Sequence, residues 1–484
     1  MASLVRSISS ILSGRVILLF IGLAFTPILV RLISQSQYGL LASIMAAQSV
    51  FSLIYKGGLF DAIRKTVPEY RNDSESLSAI AAASFGLTTV YGIIATAIVI
   101  ICLLLGIIPK QYKIYVWILL GLILFDNLSV FPRGYFYGTQ NEHVTEIFKI
   151  TRKVIYSVSA LILAYYGYGL IGVFAGYVLS FVVVGFISVI LLLRETSFCL
   201  QDGSQTVNFA KDLASYGGFQ LIGGLSAVLL YKTDILLVQF FHGQTSTALY
   251  QSAIVPAEML WIVPSAIQAA FLQDTAKNWA QNNTEKINDN IREGVKYSVL
   301  SLSLFGVGLF VLAEPFITVY FGPQYSDSVL SLRILIVGVV LMGVTRPINA
   351  VLQATGWIRQ TELVSAGALI INIICNVILI PRFGIIGAAV GTTISYTAMF
   401  VAKLLLWYWS EFRLITVAWA GKIAITQVLF LIGFLIIVSR VQLEPLVSLI
   451  SLPFIGLLLF LIINTYMGYI ERARIIELVK APRG

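Results

Sequence analysis

The chain has 484 residues, 58% of them hydrophobic and 11% charged, with a mean hydropathy of +0.90 and a formal charge of +9. A water-soluble domain carries about 25% charged residues, so this chain cannot clothe a water-facing surface and reads as an integral membrane protein. Apolar runs of about 20 residues recur along it, which predicts spanning helices and excludes the short alternating segments of a β-barrel; the positive charge then belongs to inner loops and not to nucleic-acid binding.

Residues 3–12 place Leu4, Val5, Ile8, Ile11 and Leu12 on one helical face with Arg6 opposite, the pattern of an amphipathic helix lying at the interface. Spans are predicted at 14–33, 38–59, 79–106, 113–132, 144–165 and 169–193, then at 213–241, 247–272, 292–313, 327–350, 360–380, 385–408, 417–438 and 446–466. The expected fold is all-α with fourteen transmembrane helices, as two pseudo-symmetric six-helix lobes plus a C-terminal pair. The corresponding domains are an interfacial helix (1–13), an N-lobe (14–193), a polar cytoplasmic linker (194–212), a C-lobe (213–408), helices 13 and 14 (409–466) and a basic cytoplasmic tail (467–484).

The two halves resemble each other. Gly169-Leu-Ile-Gly172-Val-Phe-Ala-Gly176-Tyr-Val-Leu-Ser180 and Gly384-Ile-Ile-Gly387-Ala-Ala-Val-Gly391-Thr-Thr-Ile-Ser395 share five of twelve residues at a constant offset of 215, which also pairs Pro132 with Pro347. Internal repeats are a mark of transporters whose halves move about a shared site. The glycine spacing suits close helix packing better than a binding loop.

The loops set the expected orientation. With the N-terminus inside, Arg64, Lys65, Arg71, Arg133, Arg152, Lys153, Arg194 and Lys211 fall on the cytoplasmic side, whereas the outer connection 314–327 carries no Lys or Arg. Both termini are then cytoplasmic, in the cell membrane. No loop is long enough for a soluble catalytic domain, which weighs against a glycan polymerase or ligase. No phosphate-binding G-x-x-x-x-G-K-[ST] loop exists, which excludes a self-powered ABC pump. Three scattered cysteines and two histidines form no metal or disulfide pattern, and no cofactor is expected.

Four stretches carry a family resemblance. Ile28 to Leu40, with Arg31, Tyr38 and Gly39, resembles the first-helix exit of polysaccharide and oligosaccharide flippases. Gly57 to Tyr70, with Asp61, Arg64 and Glu69, resembles their second-helix exit. Asp234 through Ala248-Leu-Tyr250-Gln-Ser-Ala253 resembles the opening of their second half, with Leu249 where glycine is usual. Tyr320-Phe-Gly322-Pro-Gln-Tyr325, Asn372, Asn376 and the 380–389 segment resemble their C-terminal part. The chain is thus similar to the polysaccharide flippase branch (Wzx-like and archaeal relatives) of the multidrug/oligosaccharidyl-lipid/polysaccharide exporter superfamily. That resemblance implies a two-lobed, fourteen-helix transporter that moves a lipid-linked oligosaccharide from the inner to the outer leaflet. It also implies membrane lipid and glycan polymerases or transferases as partners; a multidrug exporter is the alternative on the same fold.

Such a substrate needs a wet, basic path, because each unpaired polar group in hydrocarbon costs several kcal/mol. Charged residues inside helices are therefore the candidates. Arg31, Arg64, Arg152, Lys232 and Arg333 are candidates for the substrate cavity. Arg31 and Arg64 also fit interfacial anchoring, and Arg346 fits an inner anchor better than a cavity residue. Asp126, Asp234 and Glu258, the last between Pro256 and Pro264, are candidates for a gate or for ion coupling; a cap at an inner kink is the other reading of Asp126, and partnered packing that of Asp234 and Glu258.

Overall fold

The computed structural model describes residues 2–196, 203–410, 412, 417–441 and 443–469, with side chains described from Gly14 onward except Arg15 and 417–420. Among the described residues every regular element is helical. The long helices are α1 (Ala2–Leu32), α2 (Gln35–Lys56), α3 (Ser74–Leu104), α4 (Lys110–Leu128), α5 (Glu142–Leu163), α6 (Gly169–Glu195), α7 (203–242), α8 (244–259, continued as Ile262–Ala280), α9 (Thr284–Val311), α10 (Val329–Ala354), α11 (358–383), α12 (385–409), α13 (Val417–Arg440) and α14 (Pro445–Tyr466). This is the all-α membrane fold of fourteen helices that the apolar runs predict.

Where boundaries differ from the predicted spans, amphipathic turns explain the difference. The lead-in segment 3–12 is continuous with α1, and its side chains lie outside the described residues. The polar break is shorter than 194–212, because helix resumes at Gly203. Phe209 and Leu213, four residues apart, face inward there, and Phe209 meets the Tyr70 ring at 5.1 Å. Likewise α9 starts at Thr284 and not at 292, capped by the Asn283 side chain, with Ile287, Ile291 and Val295 buried one turn apart. A polar outer face hid both first turns from a search for apolar runs. The predicted helix over 247–272 is interrupted at Leu260 and Trp261. Pro264 has no N–H to offer the Leu260 carbonyl, and the chain tightens locally, with Trp261 N–H bonded to Glu258 O at 3.1 Å.

The repeated glycines build the same turn twice. Gly169 adopts φ 51°, ψ −135° and Gly384 adopts φ 57°, ψ −133°, a region that side chains disfavour. Each turn reverses the chain into an antiparallel hairpin, α5–α6 and α11–α12. The following glycines lie against the preceding helix: a Cβ on Gly172 would come within 2.7 Å of Leu163, and one on Gly387 would strike the Leu379 carbonyl. The spacing seen in the sequence is therefore a helix-packing device.

By internal contacts the chain divides into two compact units, residues 1–236 and 237–484. In the first, the core gathers Leu59 and Ile63 of the short helix Leu59–Thr66, Ile80 of α3, Phe131 and Phe136 of the short helix Val130–Gly138, Phe148 of α5 and Leu213 of α7. In the second, Ile287, Ile348, Leu352, Leu406 and Trp407 join α9, α10 and α12. The pair α13–α14 docks on α9 through Leu300, Phe430, Phe434 and Phe460, reinforced by Ser303 donating to Gln427 at 2.6 Å and Gln427 donating to Asn464 at 3.1 Å.

Candidate functional site

The densest charge in the first unit surrounds Asp126. Two helix breaks create the arrangement. Helix α2 ends at Lys56, where Gly57 turns left-handed at φ 56°. Helix α4 ends at Leu128, because Pro132 cannot return a hydrogen bond to it. The Ser129 carbonyl accepts both the Arg133 backbone N–H at 3.2 Å and its Nε at 3.1 Å, and the guanidinium reaches back to Asp126. Asp126 is 1% exposed. Its Oδ2 accepts Lys56 Nζ at 2.5 Å and the Tyr55 hydroxyl at 2.9 Å, and its Oδ1 accepts Arg133 Nη2 at 3.3 Å. Gln48 in turn donates to Tyr55 Oη at 3.0 Å.

One carboxylate thus serves two cations, and a third lies beside them. Arg152 of α5 acts electrostatically on Asp126 but makes no salt bridge to a described residue; its guanidinium stands 4.6 Å from the Phe181 ring. One turn earlier on α5, Lys149 pairs with Glu146 at 2.7 Å, and the Tyr137 hydroxyl donates to the same oxygen at 2.8 Å. Ser129, Arg133, Lys149 and Arg152, with Phe148, Phe181, Val184 and Gly185, line a small cleft. Its polar lining is cationic apart from Ser129, and the rest of its lining is apolar. Guanidinium and ammonium groups in this arrangement suit a phosphate, which offers several charged oxygens to converging donors.

Two of the second unit's polar clusters, among the described residues, lie within its helix core. In the first, neutral cluster, Asn376 Nδ2 donates to Asn372 Oδ1 at 3.0 Å, while Asn372 Nδ2 donates to Thr392 and Ser395 hydroxyls at 3.3 Å each; Tyr250 Oη meets Thr392 Oγ1 at 3.3 Å. The other is cationic and contains Arg346 of α10 and Lys403 of α12. Arg346 Nη1 donates to Gln268 Oε1 at 3.3 Å, and its guanidinium lies 4.8 Å from the Trp261 ring. Lys403 is 5% exposed.

The structure brings Asp126 and Arg152 together and sends the other candidates elsewhere. Arg31 is exposed, and its guanidinium folds back onto the Pro27 carbonyl of its own helix. Arg64 is exposed and pairs with Asp61 at 3.4 Å, a contact worth little at a surface. Lys232 is half-buried in α7; Asp234, buried two residues on, accepts the Ile235 N–H at 2.8 Å. Glu258 is half-buried just before the α8 break. Arg333 donates through Nε to the Phe310 carbonyl at 3.3 Å, closing the last turn of α9. No group of three His, Cys, Asp or Glu side chains converges on a metal-sized site among the described residues.

Sequence reasoning did not single out Lys56 or Lys403, and it read Arg133 and Arg346 as inner anchors. Lys403 left a signal, a lone ammonium within the apolar run 398–407. Lys56 and Arg133 left less, because each flanks a break that mimics a helix end.

Comparison with known proteins agrees with this architecture. The profile of the polysaccharide biosynthesis protein family matches residues 4–273, and that of the MatE family matches residues 220–378. The probable flippase AglR of Haloferax volcanii is 25% identical over 406 residues, 82% of each chain. The probable low-salt glycan biosynthesis flippase Agl15 of the same organism is 22% identical over 254 residues, 52% of this chain and 53% of that one. The chain therefore spans about half of Agl15, and it spans 38% of an uncharacterised membrane protein of Methanocaldococcus jannaschii that it also matches. A solved structure of the lipid II flippase MurJ, in an inward closed conformation, superposes with a TM-score of 0.77 at 15% identity over 96% of this chain and 98% of that one, which shows a shared fold. Matched over more than half its length, the chain belongs to the polysaccharide biosynthesis protein family, in the multidrug/oligosaccharidyl-lipid/polysaccharide exporter superfamily.

Proposed function

We propose that this protein is a flippase for polyprenyl-phosphate- or polyprenyl-pyrophosphate-linked oligosaccharide, carrying the glycan from the cytoplasmic to the outer leaflet by alternating access, without covalent chemistry. The observation that carries the reading is the cleft lined by Arg133, Lys149 and Arg152 within a unit of long apolar helices. The phosphate sits against these cations while the isoprenoid tail stays in lipid, so the headgroup crosses without facing hydrocarbon. Family membership and the flippase names of AglR and Agl15 support the substrate class. A polymerase or transferase that consumes the delivered glycan is the partner this role requires. The MatE match favours a multidrug exporter as the second reading, but a cleft lined by arginine and lysine repels drug cations.

The test is flipping of a fluorescent polyprenyl-diphosphate glycan by the purified protein in proteoliposomes. Wild type moves it, and Arg152→Ala slows it about ten- to a hundredfold, the cost of one charge-assisted hydrogen bond. Melting temperature confirms that the variant is folded. A wild-type protein that leaves the glycan unmoved but extrudes a lipophilic cation would reverse the choice between the two readings.

A further inference from the structure

In the second unit, Lys403 lies on the buried stripe of α12, in register with Ser395, Tyr396, Met399 and Leu406. It forms no hydrogen bond or ion pair with another described residue, although only 5% of it is exposed. Arg346 is half-buried, and its Nε is buried without a hydrogen-bond partner. Trp261 joins the two helices that carry these cations. Its indole N–H donates to the Val339 carbonyl of α10 at 2.8 Å, its ring meets Tyr396 of α12 at 5.7 Å, and Arg346 lies over it. Close by, Ile348 and Val351 of α10 share a core with Leu406 and Trp407 of α12. Arg346 repels Lys403 electrostatically, and the acid that partly offsets this, Glu362, is exposed.

A buried cation beside a half-buried one, with no carboxylate bonded to either among the described residues, is costly, since Lys403 recovers no hydration from a partner. Unit one answers this cost with Asp126, whereas here no carboxylate pairs with Lys403 or Arg346 among the described residues, and Glu362 is exposed. A lipid phosphate does not answer it either, because Lys403 is enclosed by helices and not directed to the bilayer. Half-buried Arg346 keeps the pair reachable from outside the core, and the Gln268 side chain, its oxygen held by Arg346, keeps an amide N–H₂ for a sugar hydroxyl.

We propose that Arg346 and Lys403 bind an oxyanion carried on the sugar portion of the translocated glycan, a sugar carboxylate or a sugar phosphate. The protein thereby selects acidic glycans over neutral ones. This inference rests on the flippase reading and narrows its substrate. The lipid-proximal phosphate is common to all lipid-linked glycans, whereas Arg346 and Lys403 read a charge that only some glycans have.

Three lipid-linked tetrasaccharides on the same polyprenyl diphosphate separate the possibilities. One ends in glucuronate, one in a phosphorylated hexose and one in glucose. In proteoliposomes, wild type moves one of the acidic substrates about ten- to a hundredfold faster than the neutral one, as one or two charge-assisted hydrogen bonds allow. The preferred acid identifies the oxyanion as carboxylate or phosphate. Lys403→Met and Arg346→Gln erase the preference and leave the neutral glycan's rate unchanged, while Lys403→Arg keeps it. The proposal is overturned if wild type shows no preference, if the preference survives both substitutions, or if the neutral glycan slows as much as the acidic ones. Should wild type move none of the three, the flippase reading fails by itself. The site is then read by melting: free glucuronate or mannose 6-phosphate raises the wild-type Tm and not that of Lys403→Met, and a shift in neither or in both overturns the site.

Discussion

Asp126 shows how much can rest on one carboxylate. Both of its oxygens are occupied, by Lys56 and Tyr55 on one side and Arg133 on the other. Asp126→Ala strands two cations in the interior, which typically costs about 3–5 kcal/mol when one partner of a buried pair is removed. The expected outcome is a fall in melting temperature in detergent. Adding Arg133→Met and Lys56→Met to Asp126→Ala should restore part of it, and a triple variant no more stable than the single would show that the charges do not couple. At this scale the sequence was partly legible. A charged residue inside an apolar run is costly and therefore conspicuous, which is how Asp126 and Arg152 were found. Lys56 precedes Gly57-Gly58 and Arg133 follows Pro132, so both look like residues at a membrane surface. The chain breaks there but does not leave the interior, and only packing reveals that. Arg333 and Arg346 show the opposite lesson. They share α10, yet Arg333 spends its Nε on the Phe310 carbonyl, while Arg346 keeps a buried Nε unspent, a difference no periodicity encodes.

At the scale of elements, caps and turns matter more than propensity. Asp73 caps α3 by accepting the backbone N–H groups of Glu75 and Ser76 at 3.1 Å and the Ser76 hydroxyl at 2.7 Å. The Ser76 hydroxyl foremost, then the backbone N–H groups, hold the Asp73 carboxyl below the usual carboxylate range. A carboxyl depressed in the folded state stabilises it above the unfolded pKa and loses that contribution as pH falls through the folded value. Asp73→Ala should therefore lower Tm near neutrality, and the gap to wild type should close on acidification below the carboxylate range. Helices themselves were readable from apolar runs, because a spanning segment must satisfy its own backbone. Their ends were not: the first turns of α7 and α9 are polar outside and apolar inside, and only the buried stripes of Phe209 with Leu213 and Ile287 with Ile291 mark them as helix. The repeated glycines were read correctly as packing residues. Gly384→Ala should destabilise the α11–α12 turn by about 1–2 kcal/mol, the cost of placing a side chain in the left-handed region, and circular dichroism melting would measure it.

For the whole molecule, the charge bias of the loops proposes an orientation. In a chain stripped of its three cysteines, Gln324→Cys should react with an impermeant thiol reagent in intact cells, and Asn282→Cys only after permeabilisation. The reverse pattern would invert the proposed direction of transport. Fold and family were legible at this scale because both depend on the order of segments, whereas the site depends on which broken ends fold inward. The twin hairpins α5–α6 and α11–α12 also bear on how the protein is made. Each closes through glycines that touch the neighbouring helix within a few turns of chain, Gly172 on Leu163 and Gly387 on Leu379, so neither hairpin waits for distant sequence. Each can assemble while later helices are still being synthesised, and contacts this local form early. A bulky residue at Gly387 would then act while the chain is still being made. It would leave a nascent pair unable to seal within the bilayer, and the cell would register the defect as protein missing from the membrane.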